Sequence, residues 1–177
     1  HLETIGVSYN KPKIDLDKIR THKDNIVSKL SSGIAQMAKA RNVETLCGLA
    51  SFASNSELKV KTDKGEQSVT FEKCIIAVGS KSAMIPGVPA DHPSILTSRT
   101  ALDLEEAPES LLIIGGGVIG LELGQVYAAL GSKVSLVEFL PNLLPGTDPD
   151  LVKPLRRKLK DQFKSIRVSS KVTQIEP

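Results

Sequence analysis

The chain has 177 residues, enough for one full domain or for parts of two. Apolar residues make up 40% and charged residues 24%, and aromatics are only 3% with no Trp, which argues against a stacking platform for single-stranded nucleic acid. The net charge of +3 comes from interleaved basic and acidic residues, no apolar run reaches the ~18 residues of a membrane span, and two cysteines fit a reducing, cytoplasmic setting better than a disulfide scaffold.

The chain opens at His1-Leu2-Glu3, without Met and without the charged and apolar regions of a signal peptide, so an internal piece of a longer protein is expected. After Pro12, Asp15 is placed as a helix N-cap, and Ile19, Ile26, Leu30, Ile34 and Met37 recur at helical spacing. A long helix to about Arg41 is expected, its stripe facing a core and Gly33 its weak point. Residues 43–46 read as extended. Leu58, Val60 and Thr62 alternate with Lys59 and Lys61 as in a half-exposed strand. Asp63-Lys64-Gly65-Glu66 reads as a turn, and residues 67–71 return as the partner strand, giving a β-meander. Residues 74–78 form a wholly apolar run, the pattern of a strand buried on both faces.

Residues 81–110 read as a connector, with Pro86, Pro89, Pro93 and Pro108 spread through it. The last third then alternates strand and helix: strand over 111–114, helix over 118–130, strand over 133–137. A further helix starts at Asp148-Pro149 and runs to about Phe163, and a strand is expected over 168–175. Arg156-Arg157-Lys158 is read as a solvated helix face. Cys47 and Cys74 are read as core or strand thiols.

Gly115-Gly116-Gly117-Val118-Ile119-Gly120 fits the G-x-G-x-x-G pattern between a strand and a helix, which is where a dinucleotide pyrophosphate is bound. Gly115 permits the turn out of the strand, Gly117 lets the backbone approach the phosphates, and Gly120 lets helix and sheet pack closely. The helix N-terminus adds free N–H groups and a positive dipole end. Glu138 ends the next strand, 23 positions after Gly115, where a carboxylate meets the adenosine ribose hydroxyls and repels a 2′-phosphate. NAD is therefore expected rather than NADP. Glu122, one residue past Leu121 in the helix, either points to solvent or faces a cofactor or neighbouring domain.

The segment 111–124, continuing to Val137-Glu138, resembles the NAD domain of the pyridine nucleotide–disulfide oxidoreductases. The likeness extends through Asp17-Lys18-Ile19-Arg20-Thr21, Gly48-Leu49-Ala50-Ser51-Phe52, Ile75-Ile76-Ala77-Val78-Gly79-Ser80 and Asp150-Leu151-Val152-Lys153. The resemblance implies an α/β chain: residues 1–99 as the latter part of an FAD-binding domain, with a long helix and β-meander, and 100–177 as the first part of a Rossmann-like, doubly wound NAD domain. It implies that Glu122 faces the nicotinamide and Val172 lies against the NAD adenine. It also implies that Ala50, Gly79 and Ser80 contact FAD, although Val78 stands where the family has a Thr. The family's first glycine fingerprint and its Cys-x4-Cys redox pair would precede His1, and its catalytic His-Glu pair would follow Pro177, so no catalytic residue and no metal site is expected here. The activity implied for the whole protein is oxidation of dihydrolipoamide, carried on lipoyl domains of 2-oxoacid dehydrogenase complexes, with hydride passing through FAD to NAD in a homodimer. The segment alone is expected to be inactive. Alternatives are an NADH oxidase or peroxidase, another disulfide reductase, or a non-catalytic nucleotide-binding module. Neither nucleic acid nor membrane is an expected partner.

Overall fold

The computed structural model describes residues 6, 10, 12–83, 85, 87–89 and 91–176. It divides into two compact units, Thr21–Lys81 on one side and His1–Arg20 with Ser82–Pro177 on the other.

The larger unit is a βαβαβ run. Strands β4 (Ser110–Ile114), β5 (Lys133–Val137) and β6 (Ser165–Arg167) form a parallel sheet with β5 in the middle. Ser110 pairs with Lys133 and Ile114 with Val137, while Val137 also pairs with Arg167. Helix α2 (Val118–Ala129) joins β4 to β5, and α3 (Pro149–Gln162) joins β5 to β6. Such parallel strands need crossover helices, which here supply the covering layer. Val134 and Leu136 of β5, Leu121 and Tyr127 of α2, Leu159 of α3, and Leu143 pack as one core, each 2% exposed or less. The Asp148 side chain accepts the Asp150 N–H at 3.0 Å and Pro149 occupies the first turn, so α3 starts where that pair predicts. Arg157 and Lys158 are exposed and Arg156 is half-buried, as for a solvated face.

Tyr127 carries its hydroxyl into this core and donates to the Ala101 carbonyl at 2.9 Å. Ala101 lies in a single 3-10 turn, Thr100–Asp103, which Leu104 ends in a left-handed conformation. Burial pushes the Tyr127 phenol above its usual value, and the charges of Glu106 and Asp103 push it the same way.

The smaller unit holds most of helix α1 (Leu16–Ala40) and an antiparallel meander. Asp15 caps α1 by accepting the Lys18 N–H at 3.1 Å. The meander runs β1 (Leu49–Ser54), β2 (Glu57–Thr62), β3 (Gly65–Thr70) in spatial order. The turn before β3 places Gly65 at φ 118°, a conformation that favours glycine. Val60 is buried on the central strand while Lys59 and Lys61 face out. The first strand, β1, was not read from the sequence on its own; Phe52 of it meets Phe71 edge to face at 6.1 Å.

Several expectations fail here, each for a physical reason. The stripe on α1 faces no core: none of its residues is buried, and Leu30 and Ile34 are 64% and 65% exposed. Residues 74–78 form no strand, and Ile75 is 92% exposed. An apolar run becomes a strand only where a neighbour completes its hydrogen bonds, and no described strand pairs with it. Residues 43–46 are likewise not a strand. Cys47 and Cys74 are exposed and lie outside the strands, so they are not core or strand thiols. In the larger unit, the last strand comes earlier than 168–175. It ends at Arg167 because Ser169 takes φ 50°. The N–H groups of Ser169 and Ser170 then bond to the carbonyls of Leu140 and Glu138 instead of continuing the sheet.

Candidate functional site

The glycine loop sits between β4 and α2. Gly115 has φ 110°, and its N–H donates to the Val137 carbonyl at 2.8 Å, tying the loop to the end of β5. A side chain at Gly120 would stand 2.4 Å from the Gly115 carbonyl oxygen, so the first helical turn rests directly on the loop backbone. Four residues on, a side chain at Gly124 would meet Phe163 at 2.6 Å and Ile113 at 2.7 Å. Gly117 differs: it has ordinary backbone angles (φ −78°), and a Cβ there meets nothing within 4 Å. It is the N-cap of α2 and brings no side-chain cap, so the first N–H groups of a 12-residue helix are left for another acceptor.

Glu138 follows β5 and is only 8% exposed. Its Oε2 accepts the Gly116 N–H at 2.6 Å and its Oε1 accepts the Leu140 N–H at 2.6 Å. Both are short, charge-assisted bonds. The carboxylate thus stands against the loop with its charge held by the backbone, and it keeps acceptor capacity for further donors. Gly115, Gly116, Gly117, Val118, Ile119, Gly120 and Glu138 form one cluster. Val118 and Ile119 are exposed beside the open helix start. Val172 is half-buried in the irregular segment after β6, two residues beyond Ser170, whose N–H bonds to the Glu138 carbonyl. Glu122 is exposed on α2. Ala50, Gly79 and Ser80 belong to the other unit: Ala50 is exposed on β1, paired with Val60, and Gly79 and Ser80 are exposed, with Gly79 at φ 72°.

The structure also brings in residues that the sequence pattern did not single out. Leu143 is 2% exposed and lies where a side chain at Gly116 would go, 2.6 Å from that Cβ position. The Leu144 N–H donates to the Gly116 carbonyl at 2.9 Å. Leu144 itself is left-handed at φ 50°. The only sequence hint was the cluster Pro141, Pro145 and Gly146 around two leucines, which marks a turn but not what it packs on.

Residues 4–177 match the pyridine nucleotide-disulphide oxidoreductase family. The chain belongs to that family. Among its relatives, the dihydrolipoyl dehydrogenase of Vibrio cholerae is 40% identical over 171 residues, 97% of this chain and 36% of that protein. That of Haemophilus influenzae is 41% identical over 177 residues, 99% of this chain and 37% of that protein. The chain therefore spans about a third of the length of the curated relatives it matches. Among solved structures, the Cu(II) complex of the HOCl-induced flavoprotein disulfide reductase RclA from Escherichia coli superposes with a TM-score of 0.80 at 29% identity, over 90% of this chain and 36% of that one. LpdA from Mycobacterium tuberculosis gives a TM-score of 0.84 at 21% identity, over 97% and 38%, a likeness of fold. No helix among the described residues is long and apolar enough to cross a membrane.

Proposed function

We propose that residues 115–120 and Glu138 hold the pyrophosphate and adenosine ribose of NAD, within a flavoprotein that oxidises dihydrolipoamide. The observation that carries this reading is the uncapped start of α2 above a loop whose glycines admit no side chain at Gly120, with a buried carboxylate beside it. A pyrophosphate fits that start, since a Cβ-free Gly117 leaves the approach open. Dihydrolipoyl dehydrogenases and their family use FAD and NAD. When bound, the two cofactors would supply the redox chemistry, FAD relaying electrons from a protein dithiol to NAD. This chain's own residues position them. The N–H groups at the start of α2 face the phosphates, and Glu138 receives the ribose hydroxyls and repels a 2′-phosphate. In this reading Glu122 faces the nicotinamide, Val172 lies against the adenine, and Ala50, Gly79 and Ser80 line FAD. Residues 1–99 are the latter part of the FAD-binding domain and 100–177 the first part of the NAD-binding domain. The complete protein works as a homodimer in the cytoplasm on lipoyl domains of 2-oxoacid dehydrogenase complexes.

Gly117→Ala gives the cleanest test. The substitution meets no neighbour and no strained φ, so the midpoint of thermal unfolding stays unchanged. NADH affinity, measured by calorimetric titration, falls by about tenfold or more as the methyl group displaces the phosphates. Unaltered NADH affinity would sink the cradle, and NADPH binding as tight as NADH would sink the ribose role. A second reading, a disulfide reductase with another substrate, is favoured by the likeness to RclA. Turnover of dihydrolipoamide by the complete protein separates the two.

A further inference from the structure

The fingerprint G-x-G-x-x-G treats its second position as free, yet Gly116 is the buried residue of this loop and the one most closely surrounded by side chains. Its N–H goes to Glu138 Oε2, its carbonyl takes the Leu144 N–H, and the space a Cβ would need holds Leu143 Cδ2 at 2.6 Å and Glu138 Cβ and Oε2 at 3.2 Å. Glu138 is equally committed. Its own N–H donates to the Arg167 carbonyl at 2.7 Å, its carbonyl accepts from Ser170 at 3.0 Å, and its second carboxylate oxygen holds the Leu140 N–H. Every one of these bonds is made within the chain.

We infer that Glu138 is a positioning residue for the glycine loop: its carboxylate fixes Gly116 against the 138–144 segment before any dinucleotide arrives. The inference deepens the proposed NAD reading and, for its ligand consequences, rests on it. Ribose selection and loop placement then share one carboxylate. A Glu138→Arg exchange removes the anchor along with the charge that repels a 2′-phosphate, so it weakens NADH without creating an NADPH site. Position 116 is glycine for the same reason: a side chain there would displace Leu143 or the anchoring carboxylate.

Amide hydrogen exchange on the full chain without nucleotide tests the anchor directly. In the unsubstituted chain the Gly116 and Leu140 amides exchange more slowly than the first-turn amides of Val118 and Ile119, which have no intrahelical acceptor. Equal rates overturn the inference, and this arm needs no variant to fold. In Glu138→Gln one side-chain oxygen remains, so one of the two anchored amides loses its acceptor and exchanges about tenfold faster or more. The Gly115 amide, held by the Val137 carbonyl, keeps its rate. Unchanged exchange at both Gly116 and Leu140 overturns the anchor, as does a Glu138→Arg chain that gains NADPH affinity while Gly116 stays protected. If the unsubstituted chain binds no NADH at all, the NAD reading fails, and the exchange rates alone still decide the anchor.

Discussion

The two units carry equally clear apolar patterns and use them in opposite ways. In the larger unit Val134, Leu136 and Leu159 are wholly buried. In the smaller one Leu30 and Ile34 repeat with the same regularity and are mostly exposed. Periodicity states which face of an element would gain from burial. It carries no information on whether the covering surface is present. The larger unit folds its strands, helices and covering layer from consecutive residues, so pattern and burial agree at β5 and on the inner faces of α2 and α3. In the smaller unit Val60 of the meander is buried, but the stripe that the pattern marks as the inner face of α1 has no buried residue.

That contrast can be broken or sharpened by substitution. The largest effect is expected from Leu159→Ala, which empties a fully buried site and costs about 2–5 kcal/mol in denaturant unfolding. Leu30→Ala, on an exposed stripe, stays within about 0.5 kcal/mol, and a comparable loss at both positions would erase the distinction between the units. Gly120→Ala comes next, with a cost of about 1–3 kcal/mol, because its Cβ would meet backbone rather than a yielding side chain. NADH titration of that variant should show binding lost together with stability. Tyr127→Phe removes one buried hydrogen bond and costs about 1 kcal/mol. It also changes the response to alkali. The folded phenol titrates above the unfolded value of 10.0, so its contribution is complete below that pH and is lost as pH rises through the folded value. Unfolding curves taken across that range should show a decline that the Phe variant lacks. One further effect has the opposite sign. Gly33→Ala, inside α1 with nothing near its Cβ, stabilises by about 0.5–1 kcal/mol, visible as a raised unfolding midpoint.

Legibility in the sequence followed locality. The strand over 133–137 matches β5 residue for residue, and the predicted helix 118–130 is one residue longer than α2. The cap at Asp148 and the glycine turn at Gly65 were also readable, since each is decided by neighbours in the chain. What failed needed a distant partner. Residues 74–78 had the composition of a buried strand and no partner strand among the described residues, while 168–175 had a strand pattern interrupted by Ser169 reaching back to Leu140. At the site, the glycine spacing located the loop and the strand end located Glu138. That the carboxylate already holds Gly116, and that Leu143 fills the space above it, depends on a turn more than 20 residues away in sequence. Spacing brings Glu138 to the end of the neighbouring strand but does not say which backbone groups its oxygens take or what packs above Gly116.

The contact between Gly124 and Phe163 has a consequence on another scale. The ring of Phe163 occupies the room a side chain at position 124 would take, one helical turn beyond Gly120. Over evolutionary time the two positions are then not free to drift separately. A lineage that enlarges residue 124 must first make room at both Phe163 and Ile113, or accept a helix lifted off its sheet, so substitutions at these positions should arise in a fixed order and persist together.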